Sequence, residues 1–221
     1  MEDLFRQTCP FKLTLIDQNS SEEGTKEYLL SLAIENVEVI INDTIADLNR
    51  LWNRFYQKSK EPYLCFLNND VRVPSNFVED IVAILDKEQE VGCVVHATNH
   101  LNYRKTTPLN YIIMPYQICQ GWCFTLRKEA YTMIPDEIRV FGGDDFLFTN
   151  VYRKGWKVAT CLSSPIIHFK AKSRKYCIVN LQEDTVNYMK FGHERLPHLT
   201  RYTKRYPQFL TIEEDKNDLC R

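Results

Sequence analysis

The sequence predicts an α/β fold, a mostly parallel sheet flanked by helices and followed by a helical C-terminal tail. Three observations carry that reading. Between Lys12 and about Phe169, short apolar runs alternate with segments of helical period. Several of those runs break off abruptly in polar or acidic residues, as open α/β sheets do where they bind ligands. Finally, 221 residues with 44% hydrophobic content can bury one sizeable core but cannot hold two catalytic domains.

Taken in order, LTLID (13–17) is the first strand, closed by the turn-rich QNSSEEGT, and a short helix follows over 26–32. VEVII (37–41) is the second strand. After Asn42, residues Ile45, Leu48, Trp52, Phe55 and Tyr56 recur at helical spacing, with Arg50, Asn53 and Arg54 expected on the outer face. YLCFL (63–67) runs into Asn68-Asn69-Asp70, and Pro74-Ser75 opens a helix carrying Phe77, Val78, Ile81, Ile84 and Leu85, with Ser75 as expected N-cap. GCVV (92–95) is a strand, and 96–117 reads as a long loop around a short strand at 111–114. GWCFTLR (121–127) is a strand backed by a helix. Gly142-Gly143-Asp144-Asp145 then opens a helix ending at Gly155, and WKVATC and PIIHF form two last strands.

From Ala171 the character changes to basic clusters, KAKSRK and RYTKRY, interleaved with Tyr176, Tyr188, Phe191, Tyr202, Tyr206 and Phe209. The division is therefore a 1–170 domain and a 171–221 helical, basic and aromatic extension.

Twenty-eight Lys and Arg balance 29 Asp and Glu, so no global field draws the chain to nucleic acid or anionic lipid. Eight cysteines without a CxxC pair read as buried, reduced thiols. The start of the chain has no apolar stretch of signal-peptide length, and no run approaches the ~18 residues of a membrane span. The expected compartment is cytoplasmic, and homo-oligomerisation is left open.

Chemistry concentrates at three points: Asp70 at a strand end, the Asp144-Asp145 pair at a helix start, and His168 at the end of the last strand. In a parallel sheet these ends converge on one edge. A carboxylate and an imidazole, completed by a diphosphate, suit Mn2+ or Mg2+, and a separate carboxylate can take a proton from an attacking hydroxyl. Each point alone also has a structural use as a turn, a helix-start acid or a packed histidine. Their joint order is what informs.

The motifs resemble those of family 2 glycosyltransferases. IDQNSSEEGTKEYL is similar to the family's VDNGSTDGT element, and FLNNDVRVPSNFVEDIV to its DxD-type segment. GWCFTLRKEAY resembles the small-residue strand before the acceptor site, VFGGDDFLFTNVYRKGWKV the acidic catalytic segment, and PIIHF the later strand with its metal-site histidine. The GGDD run is also similar to the GGED segment of galactosyltransferase-type GT-A enzymes. The family's usual opening strand has no counterpart before Asp17, so a shortened N-terminus is expected.

The resemblance implies a GT-A nucleotide-sugar fold and a metal-dependent, inverting transferase, with a UDP-sugar as donor and Mn2+ or Mg2+ as cofactor. It places Asp17 and Gln18 at the base, Asn69 and Asp70 at the diphosphate, and Asp70 and His168 on the metal. The catalytic base is Asp145 by the GGED comparison and Asp144 by an ungapped alignment; the former is preferred, with Asp144 orienting the acceptor or raising the pKa of its neighbour. The acceptor is a glycan, lipid-linked sugar, protein side chain or modified nucleobase. A non-catalytic module of the same fold and a metal-dependent nuclease are the alternatives.

Overall fold

The computed structural model describes residues 1–44, 47–98, 108–114, 120–169 and 187. Two parallel strands, β1 (Leu13–Gln18) and β2 (Val37–Asn42), form a small sheet, with helix α1 (Thr25–Leu30) between them in sequence. Helix α2 (Leu48–Lys58) leads to the main sheet, built from β3 (Tyr63–Leu67), β4 (Val71–Arg72), β5 (Val91–Thr98), β6 (Tyr111–Met114), β7 (Cys123–Arg127) and β8 (Lys157–His168). Its order is β3-β7-β5-β8-β4, with β6 also on β8. Strands β5 and β8 pair parallel, and β3 shares their direction because both β3 and β5 are antiparallel to β7 between them. The α/β class with its principal strands running one way is thus as expected, and β7 and the short β4 and β6 are the antiparallel members.

Alternation along the strands sends successive side chains to opposite faces and makes two cores. On one face Phe66, Cys93, Val95 and Phe124 pack with Phe146 and Leu147 of α4 (Gly143–Arg153) and with Trp52 and Phe55 of α2. On the other, Val94, Cys123, Ala159 and Cys161 meet Phe77, Ile81, Ile84 and Leu85 of α3 (Phe77–Lys87). Ile84 and Leu85 are fully buried, each stabilising the fold by about 1.5–3 kcal/mol relative to exposure. Aromatic contacts bind the first core: Trp52 lies 5.2 Å from Phe66 and 5.3 Å from Phe124, ring centre to ring centre.

Several local expectations are corrected. Asn53 does not face outward: it is buried, donating from Nδ2 to the carbonyl of Ile134 (2.8 Å) and accepting at Oδ1 from Ile134 N–H and Tyr131 O–H (both 3.0 Å). Ser75 is not the cap of α3; Asn76 occupies that place, and its side chain donates instead to Asp80 (2.9 Å). The segment after β7 makes only a 3-10 turn, Lys128–Ala130. The two expected closing strands are one, β8, whose register against β5 shifts between His96 and Thr98 and so accommodates Pro165. Cys93, Cys123 and Cys161 are buried and free as expected, whereas Cys65 is exposed on β3, a strand that among the described residues pairs on its β7 side alone.

The expected 171–221 extension, like Ile45, lies outside the described residues, except for Asn187, whose Nδ2 donates to the carbonyl of Glu137 (2.8 Å). Among the described residues no helix is long and apolar enough to cross a membrane.

Candidate active site

The end of β3 turns at Asn68-Asn69-Asp70 instead of continuing, and the backbone fixes that turn on three sides. Asn68 N–H donates to the carbonyl of Trp122 (2.9 Å), and Phe169 N–H to that of Asp70 (3.0 Å). Between them, β4 pairs with the end of β8, setting Val71 opposite His168 and Arg72 opposite Ile167. A bidentate ion pair anchors β4 from behind: Arg72 Nε and Nη2 reach Asp3 at 2.5 and 2.9 Å, and that cation holds the Asp3 carboxyl below its usual range.

This pairing brings two of the expected residues together. His168 Nε2 lies 3.2 Å from Asp70 Oδ2. The other oxygen of Asp70, Oδ1, is buried and has no hydrogen-bond partner among the described residues. One imidazole nitrogen beside a carboxylate that has an unsatisfied oxygen is a donor set suited to Mn2+ or Mg2+. Among the described residues no third Asp, Glu, His or Cys joins them. Asn69 is exposed on the same turn.

The acidic pair is built at the start of α4. Gly142, at φ 75°, turns the chain into the helix, and Asp144 and Asp145 fall in its first turn. A side chain on Gly143 would meet Asn49, whose Oδ1 would lie 2.0 Å from the added Cβ. Asn49 in turn donates from Nδ2 to Ile138 C=O (2.9 Å) and from its backbone to Arg139 C=O (3.0 Å), locking the first turn of α2 against the loop before α4.

The two carboxylates have different surroundings. Burial raises the pKa of Asp144, but backbone N–H groups of Asp145, Asp144 itself and Gly121 favour its ionised form. Asp145 has an Oδ1 that is buried with no partner among the described residues. Burial, followed by repulsion from Asp144, pushes its pKa up to about 8.

Gly121 and Trp122, just ahead of β7, connect the two pairs. Gly121 packs against the Asp144 carboxylate, and the Trp122 indole stacks on the His168 imidazole, with centroids 4.7 Å apart and planes 8° apart. The sequence marks this stretch as a strand, and by resemblance as the one before the acceptor site, but gives neither residue a contact. Its available signal was a glycine-aromatic step immediately before an apolar strand, which does not specify what either residue touches.

Asp17 and Gln18 lie at the end of β1, in the small sheet. Asp17 is buried, and its carboxylate accepts from the Ser20 hydroxyl and, at 3.4 Å, from Ser20 N–H. It therefore closes the turn after β1, with Asn19 in the left-handed region at φ 57°.

A family model described as "Glycosyl transferase family 2" matches residues 1–151. The chain belongs to glycosyl transferase family 2. The match takes in the Asp70 turn, the Gly121-Trp122 step and the Asp144-Asp145 helix start. Solved structures of similar fold include GalNAc-T7 with UDP, GalNAc and Mn2+, at TM-score 0.58 and 17% identity over 92% of this chain and 50% of that one. Another is S. aureus TarS 1-349 in complex with UDP-GlcNAc, at TM-score 0.57 and 12% identity over 79% of this chain and 55% of that one. At these identities the likeness establishes a GT-A glycosyltransferase fold, and this family 2 chain spans about half the length of those structures. No curated protein matches the sequence.

Proposed function

We propose that this family 2 chain is the donor-binding and catalytic part of a metal-dependent, inverting glycosyltransferase. It moves a sugar from a UDP-sugar to an acceptor hydroxyl on a glycan, lipid-linked sugar, protein or modified nucleobase. The observation that carries the proposal is the placing of the Asp70–His168 pair and the Asp144–Asp145 pair on either side of the Gly121-Trp122 step. Crystallisation of fold relatives with UDP or UDP-GlcNAc supports the choice of donor.

Asp70 and His168 would hold Mn2+ or Mg2+, which when bound offsets the charge of the leaving nucleoside diphosphate. Asn69 stands beside the diphosphate, and Asp17 and Gln18 are assigned to the base. Asp145 accepts the acceptor's hydroxyl proton as that oxygen forms its bond to the anomeric carbon, and the bond to the diphosphate breaks on the opposite face. Inversion follows from that single displacement. Asp144, held by backbone N–H groups, orients the acceptor or raises the basicity of Asp145 by like-charge repulsion.

Differential scanning with UDP tests the donor half. UDP with Mn2+ is expected to raise the melting temperature well above UDP with EDTA, and equal shifts in the two conditions would refute the metal-bridged reading. Release of UDP from a panel of UDP-sugars, with no cleavage of DNA in Mn2+, separates transferase from nuclease.

A further inference from the structure

Trp122 is half-buried at the threshold of β7, and its position is set by groups other than His168. Its carbonyl accepts Asn68 N–H from the turn that carries Asp70, and the next residue, Cys123, pairs with Leu67. Its ring packs against the core cluster under α3. The indole Nε1 is buried and has no partner among the described residues, where no hydrogen bond of its own orients the ring. Shape holds it in place.

The imidazole of His168 is held far less completely. Among the described residues its ring nitrogens have one close side-chain contact, the 3.2 Å approach of Nε2 to Asp70 Oδ2 at the ring edge, which leaves rotation about the Cβ–Cγ bond poorly defined. A flat neighbour 4.7 Å away and 8° from parallel removes that freedom, since the imidazole can slide in its plane but cannot turn out of it.

We propose that Trp122 is a positioning residue for cation binding: its indole holds the His168 imidazole at the rotation in which Nε2 faces Asp70. The inference rests on reading Asp70 and His168 as the cation's ligands. It adds that their affinity is set by a residue that touches neither the cation nor the diphosphate. Because Gly121, the preceding residue, packs against Asp144, the same two-residue step fixes the base-bearing turn and the ligand pair relative to each other.

The test is titration of the full chain with Mn2+ in the presence of UDP, following free Mn2+ by electron paramagnetic resonance and tryptophan emission in parallel. The wild type is compared with Trp122→Phe, which keeps a flat ring, and Trp122→Leu, which does not. Thermal unfolding confirms that each is folded, and Trp122→Met replaces the leucine variant should that one unfold. Trp122→Phe is expected to bind Mn2+ within a few-fold of wild type, and Trp122→Leu about 10–100-fold more weakly, the usual range for groups that orient a ligand. Mn2+ should quench part of the wild-type emission and none of that of Trp122→Phe, because Trp52 and Trp156 pack on the other core. Wild-type affinity in Trp122→Leu, with only a lower melting temperature, would make Trp122 a core residue and overturn the proposal. Absence of Mn2+ binding by the wild type itself would instead overturn the ligand reading beneath it.

Discussion

A Cβ on Gly121 would lie 2.5 Å from Oδ2 of Asp144 and 2.8 Å from its Cγ. No real Cβ approaches that closely, and Asp144 is too short and too enclosed to swing aside without leaving its backbone N–H donors. Gly121→Ala is therefore expected to displace the start of α4. Turnover should fall at least about ten-fold, the loss that follows a small misplacement of a reacting group. UDP–Mn2+ binding should remain near normal, because the Asp70–His168 pair rests on the β4–β8 pairing and the Trp122 stack, neither of which includes Asp144. Steady-state kinetics and UDP titration measure the two separately; unchanged turnover would mean that Asp144 has no part in the site.

If Asp145 is the base, Asp145→Asn should lower turnover by roughly 10²–10⁴ while leaving donor binding intact. Asp144→Asn should cost less, and the reverse ranking would transfer the role to Asp144.

The pH profile provides a separate check on Asp145. A base whose pKa stands at about 8 is mostly protonated at neutral pH, so turnover should rise with pH towards a plateau above that value. Stability should show the opposite sign. The folded-state pKa of Asp145 is raised above its ordinary 3.8, so its contribution is present below about pH 4 and lost as pH rises through 8. Asp145→Asn should remove that loss, giving a higher melting temperature than wild type at pH 8.5.

His96 should destabilise the fold in acid. It is fully buried, with Nδ1 2.9 Å from the Ser164 carbonyl, and burial lowers its pKa from 6.5 to about 4. The unfolded chain therefore takes up a proton below about 6.5 that the folded chain refuses until about 4. The contribution is present above pH 6.5 and lost as pH falls through that window. His96→Asn, which can keep a donor towards Ser164, should show a shallower loss of denaturation midpoint between pH 6.5 and 4.

Asn53→Ala should destabilise the domain by about 2–4 kcal/mol in chemical denaturation, because both backbone groups of Ile134 and the Tyr131 hydroxyl lose a buried partner. A change below 1 kcal/mol would show that water replaces the amide there.

Local pattern was enough to place most elements. The apolar runs at 13–17, 37–41 and 63–67 became β1, β2 and β3, because each is short and bounded by turn residues. Gly142 and Gly155 marked both ends of α4, since both sit at positive φ, where glycine alone carries no strain. The Asp70–His168 encounter was also readable, because strand ends that point the same way gather at one edge. Tertiary structure decided what no periodicity encodes. Asn49 and Asn53 turned inward because loop carbonyls and amides on the opposite side needed partners, and a polar residue's helical position does not reveal such a demand. β8 ran on through Pro165 because a register shift against β5 absorbed it. Gly121 and Trp122 acquired their meaning from Asp144 and His168, residues remote in sequence and close only after the sheet has assembled. Sequence determines which residues have the chemistry and the local backbone preference; the long-range packing of strands decides which of them meet, because contact distances depend on the register of every element between.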